Sequence, residues 1–95
     1  MGQLDRRDIE AALPKKGFVL RVTHHRFYHL VVDGKETGIY TYISTGPSYK
    51  TYSDSLLGQM ATQLKIKKAE LTRLVECQLD GLAYVALLRE NGYKI

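Results

Sequence analysis

The dipeptide Asp33-Gly34 stands between two runs of strand-forming residues, and it restricts the fold of this chain more tightly than any other feature. A two-residue type I′ turn needs positive φ at both positions, which Asp-Gly supplies at little cost. Phe27-Tyr28-His29-Leu30-Val31-Val32 before it and Ile39-Tyr40-Thr41-Tyr42-Ile43 after it are rich in aromatic and β-branched residues, as half-buried strands require. Upstream, Phe18, Leu20 and Val22 alternate with Val19, Arg21 and Thr23, the period of another strand. The turn is therefore expected to join the second and third strands of an antiparallel meander, the third running from Thr37 to Ser44.

Helical patterns frame these strands. Asp5 stands where an N-cap is wanted, Asp8 suits the positive end of a helix, and Ile9, Ala12 and Leu13 share one face. Pro14 disfavours helical geometry at Leu13, so the first helix is expected to end there, with Lys15-Lys16-Gly17 as its exit turn. Ser44-Thr45-Gly46-Pro47-Ser48 is a loop by composition. Ser53, Asp54 or Ser55 then caps a second helix with Leu56, Leu57, Met60 and Leu64 on one face. The stretch from Lys65 to Lys68 separates it from a third, which carries Leu71, Leu74 and Val75. Asp80-Gly81 introduces a last helix, Leu82 to Arg89, closed by Asn91-Gly92. The pattern predicts an α+β domain, α-β-β-β-α with extra C-terminal helices, the helices lying on one face of a three-stranded antiparallel sheet. Ninety-five residues without a repeat or linker make a single domain, 1–95.

Composition narrows the function classes. With 44% hydrophobic and 25% charged residues the chain has ordinary globular usage, which argues against disorder. The longest apolar run, Leu82 to Leu88, is far short of the roughly 20 residues of a membrane helix, so no membrane association is expected. The first residues, Met1-Gly2-Gln3-Leu4-Asp5-Arg6-Arg7, hold no apolar signal core. Cys77 is alone, which excludes an internal disulfide and suits a reducing cytoplasm. Fourteen Lys and Arg against ten Asp and Glu give +4 and a pI near 9.3, with the surplus confined to residues 1–75. That balance is the footprint of a nucleic-acid binder, although +4 spread evenly would be an ordinary soluble surface. Lys15, Lys16, Arg21, Arg26 and Lys50 are the candidate RNA-binding cations.

All three histidines fall within Thr23-His24-His25-Arg26-Phe27-Tyr28-His29. Alternation places His25, Phe27, His29 and Val31 on one face of the strand, with His24, Arg26, Tyr28 and Leu30 on the other. Taking Phe27, Val31, Ile39 and Ile43 as the helix-covered side, His25 would sit at the upper edge of that face near a helix end. His24 would point to open solvent with Arg26. An imidazole exchanges protons near neutrality, so one beside Arg26 and a helix N-terminus could bind a phosphodiester and abstract a ribose 2′-hydroxyl proton. The alternative is that these are half-buried strand residues with satisfied ring nitrogens. A metal site is disfavoured, because His24 and His25 face opposite ways and no carboxylate or thiolate stands at ligand spacing. No cofactor is implied.

The helix Ile9-Glu10-Ala11-Ala12-Leu13, the strand entry Lys16-Gly17-Phe18-Val19-Leu20-Arg21 and the His-His pair opening the next strand together resemble the HicA toxins of HicA/HicB toxin–antitoxin systems. The resemblance spans about residues 4–65, leaving 66–95 as a C-terminal helical extension beyond the usual family length. It implies a double-stranded-RNA-binding-domain-like α-β-β-β-α fold and a metal-independent endoribonuclease acting on mRNA. The histidine that closes the family's Ser-His-His or Ser-Asn-His motif is the catalytic one, and it maps to His25. A HicB-like antitoxin protein would cover the site. The family usually has Gly-Ser ahead of the histidines. Val22-Thr23 stands here instead, which predicts a tighter or displaced turn. In this reading His25 is the general acid or base, Arg26 and Lys50 balance charge on the phosphorane, and His24 or Tyr28 supplies the second proton-transfer group.

Other features fit alternatives. Tyr28, Tyr40 and Tyr42 on an exposed face could stack bases or form cross-strand packing pairs. Lys50, near a helix N-terminus, could meet a phosphate or be a solvated lysine, and Lys65, Lys67 and Lys68 are a solvated turn or a phosphate track. The stretch from Gln59 to Leu74 resembles a helix-turn-helix, but two helices packed on a sheet give the same spacing. Cys77 reads as a structural thiol. Beside the ribonuclease stand two other functions: a non-catalytic RNA- or DNA-binding module, and a protein-interaction domain using the tyrosine-rich face.

Overall fold

Positive φ at both Asp33 (53°) and Gly34 (78°) makes the hairpin turn type I′. A computed structural model describes residues 4–43, 50–76 and 78–95; the expected loop at 44–48 and Cys77 lie outside them. The turn joins β3 (Arg26–Val32) to β4 (Lys35–Ile43), and β2 (Phe18–Val22) pairs along the other side of β3, all antiparallel in the order β2-β3-β4. Around this meander lie α1 (Arg6–Lys15), α2 (Asp54–Gln63), α3 (Lys68–Val75) and α4 (Gly81–Glu90). The fold is α+β, with a three-stranded antiparallel sheet and four helices. Sequence patterning gave no sign of a second, two-stranded pairing, β1 (Leu4–Asp5) with β5 (Thr51–Tyr52), which fastens the entry of α1 to the entry of α2.

Helix α1 buries Ile9, Ala12 and Leu13, the residues its periodicity selects. Asp5 takes the N-cap position with extended backbone, yet its side chain accepts no capping hydrogen bond. The helix does not stop at Leu13. It runs through Pro14 to Lys15, because a proline in the last turn with its ring toward solvent forfeits one backbone bond only. Gly17 then takes φ +99°, and its carbonyl accepts from the Val31 amide at 3.0 Å, tying the helix exit to β3.

The sheet is covered on one face, but the covered face of β3 is the opposite of the one expected. Tyr28 faces Thr41 across β3 and β4, and both are buried together with Leu30, Ile39 and Ile43. Phe27 faces Tyr42, and His29 faces Tyr40, on the uncovered side. Directly opposed residues share a face, so the pairing register groups Tyr28 and Leu30, not Phe27 and Val31, with Ile39 and Ile43. Between His29 and Val31 the register shifts. There Thr37 Oγ1 donates to the Leu30 carbonyl and accepts from the Ile39 amide, while Gly38 turns at φ +84°.

Beneath the covered face, Ile9, Leu13, Leu57, Met60, Leu64, Leu71, Leu74, Tyr84 and Leu88 form one core with the strands. Helices α2 and α3 meet through a turn in which Lys65 adopts φ +65°, and their apolar faces are spent in this core, the ordinary packing alternative to a helix-turn-helix. Helix α4 is capped by Asp80, whose carboxylate accepts from the Ala83 amide at 2.7 Å. The Tyr84 ring stacks on Phe18 at 5.7 Å, and its hydroxyl donates to the Leu64 carbonyl at 2.8 Å. None of the described helices is long and apolar enough to cross a membrane.

Candidate nucleic-acid interface

Val22 pairs with Arg26, so β2 and β3 are joined by the three residues Thr23, His24 and His25, and the Thr23 amide donates to the His25 carbonyl at 3.0 Å. This is the tight turn that Val22-Thr23 implied. It carries two imidazoles to the tip of a hairpin, His24 exposed and His25 half-buried, with ring centroids 5.1 Å apart. His25 belongs to the uncovered face, not to the edge of the helix-covered one. Its ring lies 5.3 Å from Tyr42 and 6.2 Å from Phe27.

From there the rings continue down the open sheet. Phe27 lies 5.8 Å from Tyr42 and 6.1 Å from Tyr40, and Tyr40 is stacked on His29 at 5.3 Å. Tyr40 and Tyr42 remain 47% and 40% exposed, so the platform faces solvent. Strand alternation generates this surface directly. The β3 residues of one parity and the β4 residues of matching register all project to the side that no helix occupies. Tyr28 is absent from it. Its ring is buried and its hydroxyl donates to Glu10 at 3.2 Å, with the pKa pushed up to about 12, by burial first and by the Glu10 carboxylate second.

The expected cations disperse. Arg26 is held by Glu10 of α1 at 2.6 Å, a hydrogen bond and charge that raise its pKa above the usual guanidinium value. Arg21 lies on the open face opposite Phe27 and is bound by Glu36, whose other carboxylate oxygen is 3.7 Å from His29 Nδ1. Lys50 is exposed beside β5, with its carbonyl accepting from the Arg6 amide. Lys15 and Lys16 border a cleft of about 480 Å³ with Val32, Asp33 and Gly81, at the opposite end of β3 from His25. Seven strand residues at about 3.3 Å each put that end roughly 20 Å away. Lys16 is buried, and its ammonium donates to the Leu79 carbonyl at 3.1 Å.

The cation at the Tyr40–Tyr42 edge of the aromatic face is Lys65, which the sequence left as part of a solvated turn or a phosphate track. Lys65, with Gln63, Gly38, Tyr40 and Tyr42, lines a cleft of about 240 Å³ at the β4 edge. Its approach depends on the left-handed turn after α2, which periodicity does not reveal. Alternation gave Phe27 the parity of His25, but sequence reading placed both on the helix-covered side, and the register with β4 puts them on the open one. Among the described residues no three His, Cys, Asp or Glu side chains gather as a metal ion would require. Comparison with protein-family models, with curated proteins and with solved structures yields no match, so the geometry of this face is the ground on which function can be argued.

Proposed function

We propose that this protein is a HicA-like, metal-independent endoribonuclease that cuts mRNA at the β2–β3 hairpin tip, in the cytoplasm, and is neutralised by a HicB-like antitoxin. The observation that carries the reading is the pair of accessible imidazoles with centroids 5.1 Å apart. One neutral imidazole, assigned to His25, takes the proton of a ribose 2′-hydroxyl. The 2′-oxygen attacks the adjacent phosphorus, and the 5′-oxygen leaves with a proton given by the second imidazole, assigned to His24. The products are a 2′,3′-cyclic phosphate and a free 5′-hydroxyl. Imidazole can serve as either base or acid in such an exchange, one ring entering in each role. The buried hydroxyl of Tyr28, committed to Glu10, is a poor second group by comparison.

A non-catalytic RNA- or DNA-binding module is the second reading. It is favoured by the carboxylates of Glu36 and Glu10, which hold Arg21 and Arg26, the two arginines expected to balance phosphorane charge. Incubating RNA with the wild type, His25→Ala and His24→Ala, each with and without chelator, separates the two. Cleavage that survives chelation and falls by about 100-fold or more in both variants supports the nuclease, since general acid–base catalysis contributes about 10²–10⁴. Undiminished cleavage by both variants refutes it, and RNA binding without any cleavage selects the module.

A further inference from the structure

We infer that the open sheet face is a base-stacking track for single-stranded RNA, leading from the imidazole pair to the cleft at Lys65. The inference rests on the RNA reading above and names its substrate class: unpaired bases, not a duplex. Three features carry it. Ring succeeds ring from His25 to Tyr42, Phe27 and Tyr40 at steps of 5.3, 5.8 and 6.1 Å with planes inclined by 31°, 42° and 51°, a continuous row of tilted rings on which successive bases can lie. It begins at the hairpin tip where the proposed chemistry occurs, so a strand lying on it presents its backbone to His25. It ends at a cleft that pairs two of those tyrosines with the ammonium of Lys65, a cation for phosphate, and with Gln63, whose amide oxygen accepts from the Thr41 hydroxyl and whose amide nitrogen is left for a base edge.

Charge fixes where the track stops. Beside His29 the charges of Arg21 and Glu36 offset one another, so the cation that draws a phosphate backbone at this end of the rings is Lys65. The strand therefore leaves the face at Tyr40 on the Lys65 side and does not continue across His29. Duplex RNA cannot use this surface, because its bases are paired and stacked internally and offer no π-face to a flat sheet. Any base can stack on an aromatic ring, so the track gives affinity and strandedness rather than sequence preference.

A 2′-O-methyl oligouridine 12-mer, which has no free 2′-hydroxyl and cannot be cut, tests binding apart from cleavage. Anisotropy of the labelled oligomer is measured at low salt with the wild type, Tyr40→Leu, Tyr42→Leu and Lys65→Gln, with circular dichroism confirming that each variant is folded. Each tyrosine substitution should weaken binding by about 5- to 150-fold, the span set by about 1–3 kcal/mol of stacking per base. Lys65→Gln should weaken it and flatten the salt dependence by about one ion. Because the chain has no tryptophan, its tyrosine emission should be quenched as the strand binds. Equal affinity of wild type and both tyrosine variants overturns the track, as does a self-paired hairpin RNA that binds as tightly as the single strand. If the tyrosine variants bind undiminished while natural RNA is still cut, the track fails and the nuclease stands. Loss of binding in those variants with no cleavage by the wild type is the converse. A wild type that binds no RNA overturns the track and leaves the tyrosines to a protein partner.

Discussion

Replacing Tyr84 with Phe removes one oxygen from the interior and leaves everything else about α4 in place, so the cost can be worked from a single hydrogen bond. The ring would keep its position on Phe18, 5.7 Å away with planes inclined by 28°, and its apolar burial would be unchanged. What disappears is the donor to the Leu64 carbonyl at 2.8 Å. That carbonyl belongs to the C-cap of α2, where the last oxygens of a helix have no partner within it. Both residues are fully buried, so water has no route to replace the lost donor. A typical intramolecular bond contributes about 0.5–1.5 kcal/mol net, but an acceptor left unpaired in the interior costs about 1–3 kcal/mol. The larger range applies to Tyr84→Phe. At about 4–8 °C per kcal/mol for a domain of this size, the melting temperature should fall by roughly 5–20 °C. Tyr84→Leu should cost more, because it also gives up the aromatic pair, about 0.5–1.5 kcal/mol, and opens a void. Urea unfolding followed by far-ultraviolet circular dichroism measures both, with an unchanged slope confirming that the same two states are compared. A Tyr84→Phe protein within about 0.3 kcal/mol of wild type would show that the Leu64 carbonyl does not depend on this donor, and equal losses in the two variants would show that the ring itself is not held against Phe18.

Two further predictions concern stability. Tyr28 holds its proton up to about pH 12, whereas a tyrosine in an unfolded chain releases it near about 10. The folded state therefore binds more protons across that window, so stability falls as pH rises from about 10 towards 12. In Tyr28→Phe the loss should be smaller, with Tyr84 supplying the remainder; an alkaline fall in urea midpoint as steep as that of wild type would contradict the assignment. Gly81→Ala sets two effects against each other: a methyl here would lie 3.0 Å from the Lys16 carbonyl oxygen and 3.2 Å from its Cα, both rigid backbone. Overpacking costs about 1–3 kcal/mol and the gain in helix propensity over Gly is at most about 1, so Tm should drop, and a rise would sink the reasoning.

The elements of this fold were legible because local rules and tertiary packing agree on them. Asp33-Gly34 specifies its turn, and Ile9, Ala12 and Leu13 specify the buried stripe of α1. The facing of β3 was not legible, for a definite reason. Phe27 and Val31 on one side are as apolar as Tyr28 and Leu30 on the other, so alternation defines two faces without saying which is covered. Only the register against β4 decides, and that register includes a shift beside Gly38 that no local pattern announces. The pairing of β1 with β5 escaped notice because two residues are too few to show a period.

The residues of the candidate face could be named from the sequence, but their side of the sheet and their charge partners could not. The sequence offered Lys15, Lys16, Arg21, Arg26 and Lys50 as RNA-binding cations, with Arg26 and Lys50 set to balance charge beside His25. In the folded protein Glu10 takes Arg26, Glu36 takes Arg21, Asp54 takes Lys68, and Lys16 is spent inside on a backbone carbonyl. A net charge of +4 thus overstates the positive surface available at any one place, since sequence arithmetic cannot see which carboxylate each cation will meet. Exposed ion pairs contribute about 0–1 kcal/mol, so an incoming phosphate could draw Arg21 from Glu36 at small cost; Arg26 would still be separated from the open face by the sheet itself. The aromatic face has no such ambiguity. Rings of one strand parity must share a side, and whichever side the helices leave bare presents them together. On the proposed reading, recognition on this face would rest first on stacking, with charge supplied by Lys65 at one edge and by Arg21 only once Glu36 releases it.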